Sequence, residues 1–395
     1  MVIGPAATIS QNPELFALST LISFRLTLEH GIGRDAPKVI AMYAAVLRAL
    51  TQDAAQAHVF SRVAMDLDRQ MYGRVSAPVS FIHSWFIHHW LHPMTTNAEF
   101  AAEGARIGLD EQDTLYGCFS AAAHVMYRCL SGVPLSQVVE DADRQLARIA
   151  GRVRVAAFHC VLDRQVALAL MGRTAHRLSL SCERFDEQRD VASICDSSNY
   201  NQIAYYYLAM LRLHYYYGDY EAALGHAERA WAVLPAFQGQ VAEWEFVFYC
   251  ALASAARAAA LNGEHGDAAP GATSSDARSK LLESVEEQLK RFEGWASVGA
   301  SNFAHKRDLI RAELLHARGG DRTAAADAYD TALETAAASG FVQDHALAYE
   351  RAALFHRAGG DAANASAHFD RAADLYQEWE AWAKADSIIA RRDAL

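Results

Sequence analysis

Three alanine-rich stretches in the second half of the chain share one skeleton, and a repeated skeleton leaves few ways to fold. They open at Gly218-Asp219-Tyr220, Gly320-Asp321-Arg322 and Gly360-Asp361-Ala362, the last two 40 residues apart. Alanine follows five positions after each leading glycine, at Ala223, Ala325 and Ala365, and recurs at Ala230, Ala332 and Ala372. Tyr329 and Phe369 stand three residues before the second alanine in the last two copies. Gly-Asp opening a helix, with alanines seven apart on one face, lets two helices pack closely as a hairpin. The pattern predicts an all-α, TPR-like helical-repeat superhelix, an α-solenoid, with the aromatic rings filling the space between layers.

Length agrees with that reading. At 395 residues the chain exceeds the roughly 250–300 residues at which a single core stops growing, whereas stacked repeats need only their neighbours. A 52% hydrophobic composition led by alanine, with 8 prolines, favours helix over strand. The net charge of −11 leaves no basic surplus to displace counterions from phosphates, which argues against nucleic acid as a partner. Met1 to Asn12 carries no lysine or arginine, and no run approaches 18 uninterrupted apolar residues; neither a secretory signal nor a membrane span is expected. Six scattered cysteines without a C-x-x-C pair read as buried free thiols of a cytoplasmic protein.

Organisation follows from the punctuation. Residues 1–12 read as a flexible lead, and 13–261 as a helical-repeat region whose first helix starts at Asn12-Pro13. Helical stretches of about 12–20 residues follow with short connections, among them Ala77–Leu91, Thr96–Ile107, Glu111–Leu130 and Arg152–Met171. The stretch 172–197 reads as a longer connection. Residues 262–279 (NGEHGDAAPGATSSDARS) contain no large apolar side chain and read as a flexible loop. Residues 280–395 complete the repeats with a capping helix, for which Glu378, Glu380, Lys384 and Arg391-Arg392 supply a polar outer face.

Several phrases carry a resemblance. They are Trp295 with Asn302-Phe303-Ala304-His305-Lys306, Ala312-Glu313-Leu314, Tyr329-Asp330, Gly340-Phe341 and Ala346-Leu347-Ala348, together with Phe81–Trp90 before Pro93 and the run His214 to Ala223. They resemble the tetratricopeptide-like helical region of large bacterial signalling proteins, where it lies between an AAA-type ATPase and a sensor histidine kinase, often behind a serine/threonine kinase. The chain carries no G-x-x-x-x-G-K-[ST] loop and no kinase signature, and Ser297–Ser301 replaces the family's cysteine-bearing approach to Asn302. The resemblance implies a regulatory scaffold without the catalytic parts.

Three constellations bear on chemistry. His83, His88, His89 and His92 cluster in FIHSWFIHHWLHP, and His88 and His92 stand at i,i+4, a spacing compatible with two metal ligands. No carboxylate stands at a third corner locally, and packed amphipathic histidines account for the pattern without a metal. Tyr200, Tyr205-Tyr206-Tyr207, Tyr215-Tyr216-Tyr217 and Tyr220 read mainly as core and interlayer residues, with a ligand-lining alternative. Asp186 and Asp190 (D-E-x-x-D), with Asp276, Ser279 and Glu283, resemble the paired magnesium motifs of class I terpene synthases acting on prenyl diphosphates.

The leading expectation is a non-catalytic scaffold, without cofactor, that binds a protein segment or small effector in a concave groove. Tyr206, His214, Trp244 and His305 are the groove candidates. A magnesium-dependent prenyl diphosphate enzyme is the alternative.

Overall fold

The computed structural model describes residues 13–196, 199–263 and 272–395. Among them there are eighteen α-helices and no β-strand, only an isolated bridge between Cys182 and Phe185. The helices are α1 (Pro13–His30), α2 (Ala36–Thr51), α3 (Ala54–Tyr72), α4 (Ala77–Ile82), α5 (Asn97–Asp110), α6 (Thr114–Leu130), α7 (Leu135–Ile149), α8 (Arg154–Leu170) and α9 (Glu187–Asp196). They continue as α10 (Tyr200–Tyr216), α11 (Tyr220–Trp231), α12 (Val241–Gly263), α13 (Ala272–Val298), α14 (Ala300–Arg318), α15 (Arg322–Ser339), α16 (Val342–Ala358), α17 (Ala362–Glu378) and α18 (Trp382–Asp393). No helix among the described residues is long and apolar enough to cross a membrane.

The repeated skeleton performs one local job three times. Gly218, Gly320 and Gly360 adopt left-handed φ values of 81°, 101° and 76°, which reverse the chain at little steric cost. The next residue caps the following helix: Asp219, Asp321 and Asp361 accept the backbone N–H of Ala222, Ala324 and Asn364 at 3.2, 3.0 and 3.1 Å. All six skeleton alanines are buried, as are Tyr329 and Phe369. The small side chains let α15 pack on α14, and α17 on α16.

Other expectations are corrected. The 172–197 stretch contains the helix α9 rather than a connection throughout. The segment read as a loop over 262–279 is helical at both ends, since α12 reaches Gly263 and α13 begins at Ala272; 264–271 lie outside the described residues, as does the lead over 1–12. Between Gly271 and Gly294 the sequence has no glycine or proline to stop a helix, and the Arg278 guanidinium donates to the carbonyls of Ala317 and Arg318 at 2.7 and 2.9 Å. That contact ties the first turns of α13 to the end of α14.

The expected single helix over Ala77–Leu91 is three pieces: α4, a π-helical turn over His83–Ile87 and a 3₁₀ turn over His88–Trp90. The π turn is held from outside. The carbonyl of Ser84 accepts Asn97 Nδ2 and the Tyr127 hydroxyl, both at 2.8 Å. Asn302 of α14 clamps the far end, donating Nδ2 to the carbonyls of His89 and His92 at 2.7 Å and accepting the N–H of Met94 at 2.9 Å.

The second half also packs back on the first. Gln343 Nε2 donates to the Leu130 carbonyl at 2.7 Å, and the Leu135 N–H donates to the Trp379 carbonyl at 3.0 Å. Glu380, itself left-handed at φ 65°, accepts the Ser136 N–H at the start of α7 at 2.9 Å. Lys384, expected on the outer face, is fully buried, reaching the Glu350 carboxylate at 2.7 Å and the Tyr216 carbonyl.

Candidate functional site

An apolar cavity of about 100 Å³ lies between α1, α2, α4 with the turn after it, α6, α8 and the start of α10. Its floor is buried: Met42 and Ala45 from α2, Ile82 from α4 and Trp85 from the π turn. Half-buried Phe16 of α1, Phe86, and Leu115 and Phe119 of α6 form the rim. The π turn matters here because it re-aims consecutive aromatic side chains, so that both Trp85 and Phe86 reach one cavity.

Three amides, Asn199, Asn201 and Gln240, make the polar end. Asn199 caps α10 by accepting the Gln202 N–H at 3.2 Å, and Gln240 Oε1 accepts the Tyr205 hydroxyl at 2.9 Å. Behind the wall, His159 stacks on Tyr205 with ring centroids 4.1 Å apart, and burial lowers its pKa to about 4, so it is neutral at physiological pH. Among the described residues, the wall carries no carboxylate, histidine, lysine, serine or cysteine. Its one acidic hydrogen belongs to Tyr116, whose pKa burial raises. A ligand here would meet apolar surface and hydrogen-bonding amides.

The expected groove residues do not line a groove. Tyr206, His214, Trp244 and His305 are all buried. Tyr206 donates its hydroxyl to Glu187 at 3.1 Å, and His214 Nδ1 lies 3.1 Å from Asp219. Trp244 packs edge-on against Phe303 at 5.5 Å. His305 meets Asp344 at 2.8 Å beside Lys306, which reaches Asp344 and Glu245 at 2.9 Å each. Burial opposes the charge on Lys306, but Asp344 and Glu245 outweigh it and raise the pKa. These positions serve the packing between layers.

The acidic patches do not converge. Asp186 accepts the Arg189 N–H at 2.8 Å at the start of α9. Asp190 is gripped by the Arg189 guanidinium at 2.7 Å, which lowers its pKa to about 2. Asp276, Ser279 and Glu283 are exposed on α13. None of the five lines the apolar cavity, and among the described residues no three carboxylates come close enough to share one ion.

The histidines do converge, and on a partner from outside their own segment. His92 Nε2 lies 3.2 Å from Nε2 of His58 on α3, and the rings of His88 and His92 stack with centroids 4.5 Å apart. His58 escaped the sequence reading because its signal is one histidine on the preceding helix, visible only once α3 is packed on α4 and the π turn. No protein-family model matches the chain, and no curated protein matches it.

Proposed function

We propose that the chain is a non-catalytic, TPR-like helical-repeat module of the cytoplasm that binds a small neutral effector and presents a surface to a protein partner. The effector class follows from the cavity between α1, α2, the π turn, α6 and α10: one ring-sized or branched apolar group inward, a hydrogen-bonding amide or carbonyl at the Asn199, Asn201 and Gln240 end. That the described lining residues offer apolar side chains, three amides and one phenol, without a carboxylate, histidine, lysine, serine or cysteine, is the observation that carries the reading, because it favours holding a molecule over transforming it. Burying each additional methylene contributes about 0.8 kcal/mol, so affinity should rise roughly fourfold per carbon until the cavity is full.

The partner surface is the outer side of α1. Leu15, Leu18, Leu21, Ile22, Leu26 and Leu28 are exposed there, while Phe16 of the same helix reaches the cavity rim. One helix thus touches both effector and solvent, which suits a module whose occupancy is read by another protein.

Titration of Trp fluorescence and heat with a homologous series of neutral acyl and aryl amides, and with the matching carboxylates, tests the reading. Saturable binding that prefers amides, climbs with chain length and disappears in Ala45→Phe is expected. A flat response across both series, or unchanged affinity in a folded Ala45→Phe protein, would sink it.

A further inference from the structure

We infer that His58, His88 and His92 form a three-imidazole site for a divalent transition metal of the zinc and cobalt class, independent of the effector cavity. One nitrogen from each ring lies within 4.8 Å of the others. The closest pair already has ligand geometry. Two nitrogens bound tetrahedrally at about 2.0–2.1 Å sit roughly 3.3 Å apart, and the His58 and His92 Nε2 atoms are 3.2 Å apart. Closing the third side needs a movement of about 1.5 Å by a ring to reach bonding distance. His58 and His92 are only half-buried and free to make it.

The hydrogen bonds of His88 supply the independent argument. Thr96 donates its hydroxyl hydrogen to the Pro93 carbonyl at 2.7 Å, so its oxygen accepts the hydrogen on His88 Nε2 at 2.8 Å. That bond fixes the tautomer and leaves Nδ1 with a bare lone pair. Nδ1 is buried with no hydrogen-bond partner, in a side chain 8% exposed. A buried, unpaired acceptor is unfavourable, and a metal ion would satisfy it. A metal-bound histidine that donates its other N–H to an oxygen is the arrangement that orients imidazole ligands in metalloproteins.

The surroundings leave the three imidazoles facing one another. The cluster is lined by imidazole nitrogens, and His58 packs beside His83 and His88 with ring centroids 5.7 and 6.2 Å away. His83, the other imidazole beside His88, is engaged by Ser61, whose Oγ is 2.8 Å from its Nδ1. With three protein ligands, the fourth tetrahedral position is left for water or an exchangeable ligand.

The test is Co²⁺ titration of the full, metal-stripped chain, read by the visible d–d absorption of tetrahedral cobalt, followed by Zn²⁺ competition. One equivalent should bind with the tetrahedral spectrum and raise the melting temperature. His58→Gln and His92→Gln, at half-buried positions, should each weaken binding at least tenfold while leaving the metal-free melting temperature unchanged. Thr96→Val should weaken it roughly 10–100-fold by releasing the His88 tautomer. No tetrahedral band at millimolar Co²⁺, or a band that survives the His58→Gln, His92→Gln double substitution, would show a hydrogen-bonded histidine cluster only and overturn the assignment.

Discussion

Single residues show how burial alone rewrites chemistry here. His159 is neutral because its stack between Trp85 and Tyr205 removes water, and its pKa falls to about 4. A histidine whose folded pKa is depressed contributes stability that is complete above its unfolded value near 6.5 and is lost as pH falls toward the folded value. Urea midpoints measured between pH 7.5 and 4 should therefore begin to fall below about pH 6.5, earlier than carboxylate titration alone would cause. By pH 5.5 the loss attributable to His159 is about 1.4 kcal/mol, and His159→Leu should remove that component; an unchanged pH slope in the variant would refute the account. The burial of Ala325, Ala332, Ala365 and Ala372 was legible because a helix face declares itself in seven-residue spacing. The partnership of Glu313 with Arg351, two contacts at 2.9 and 2.7 Å across 38 residues, was not, because a lone charged letter looks solvated until a fold buries it.

At the level of elements, caps and clamps have separate energetic signatures. Asp321→Ala removes only an N-cap from exposed backbone, and should cost about 1 kcal/mol. Asn302→Ala removes three buried bonds from the segment carrying His88 to Met94, and should cost about 3 kcal/mol at roughly 1 kcal/mol per bond. Denaturant melts give both numbers, and hydrogen exchange should localise the second change to residues 83–94 in addition to α14. Equal costs for the two variants would mean that the π and 3₁₀ turns stand without their clamp. The sequence marked Asn302 only as part of a family-like phrase. Its role depends on α14 meeting a turn more than 200 residues earlier, which no local pattern encodes.

For the whole molecule, hydrogen bonds join helices from distant parts of the chain. A solenoid with nearest-neighbour contacts alone frays from its ends. Here Gln343 binds the end of α6, Glu380 caps α7, and Lys384 and Arg391 reach the carbonyls that end α10 and follow it. We expect hydrogen exchange in α6 and α17 to report one shared unfolding free energy, with coincident denaturant midpoints. Gln343→Ala with Glu380→Ala should separate them, α17 opening first. Two transitions in the unsubstituted protein would contradict the coupling.

What the residues alone determined is the helical class, the three capped Gly-Asp turns and the alanine faces, because these depend on interactions within a few residues and carry a period that can be counted. What only the tertiary structure decided is where the inside lies. The expected groove residues became core, residues 272–279 of the expected loop became the first turns of a helix, and His58 joined His88 and His92. Each of those outcomes depends on which helices meet, and that is set by the summed packing of surfaces far apart in the chain.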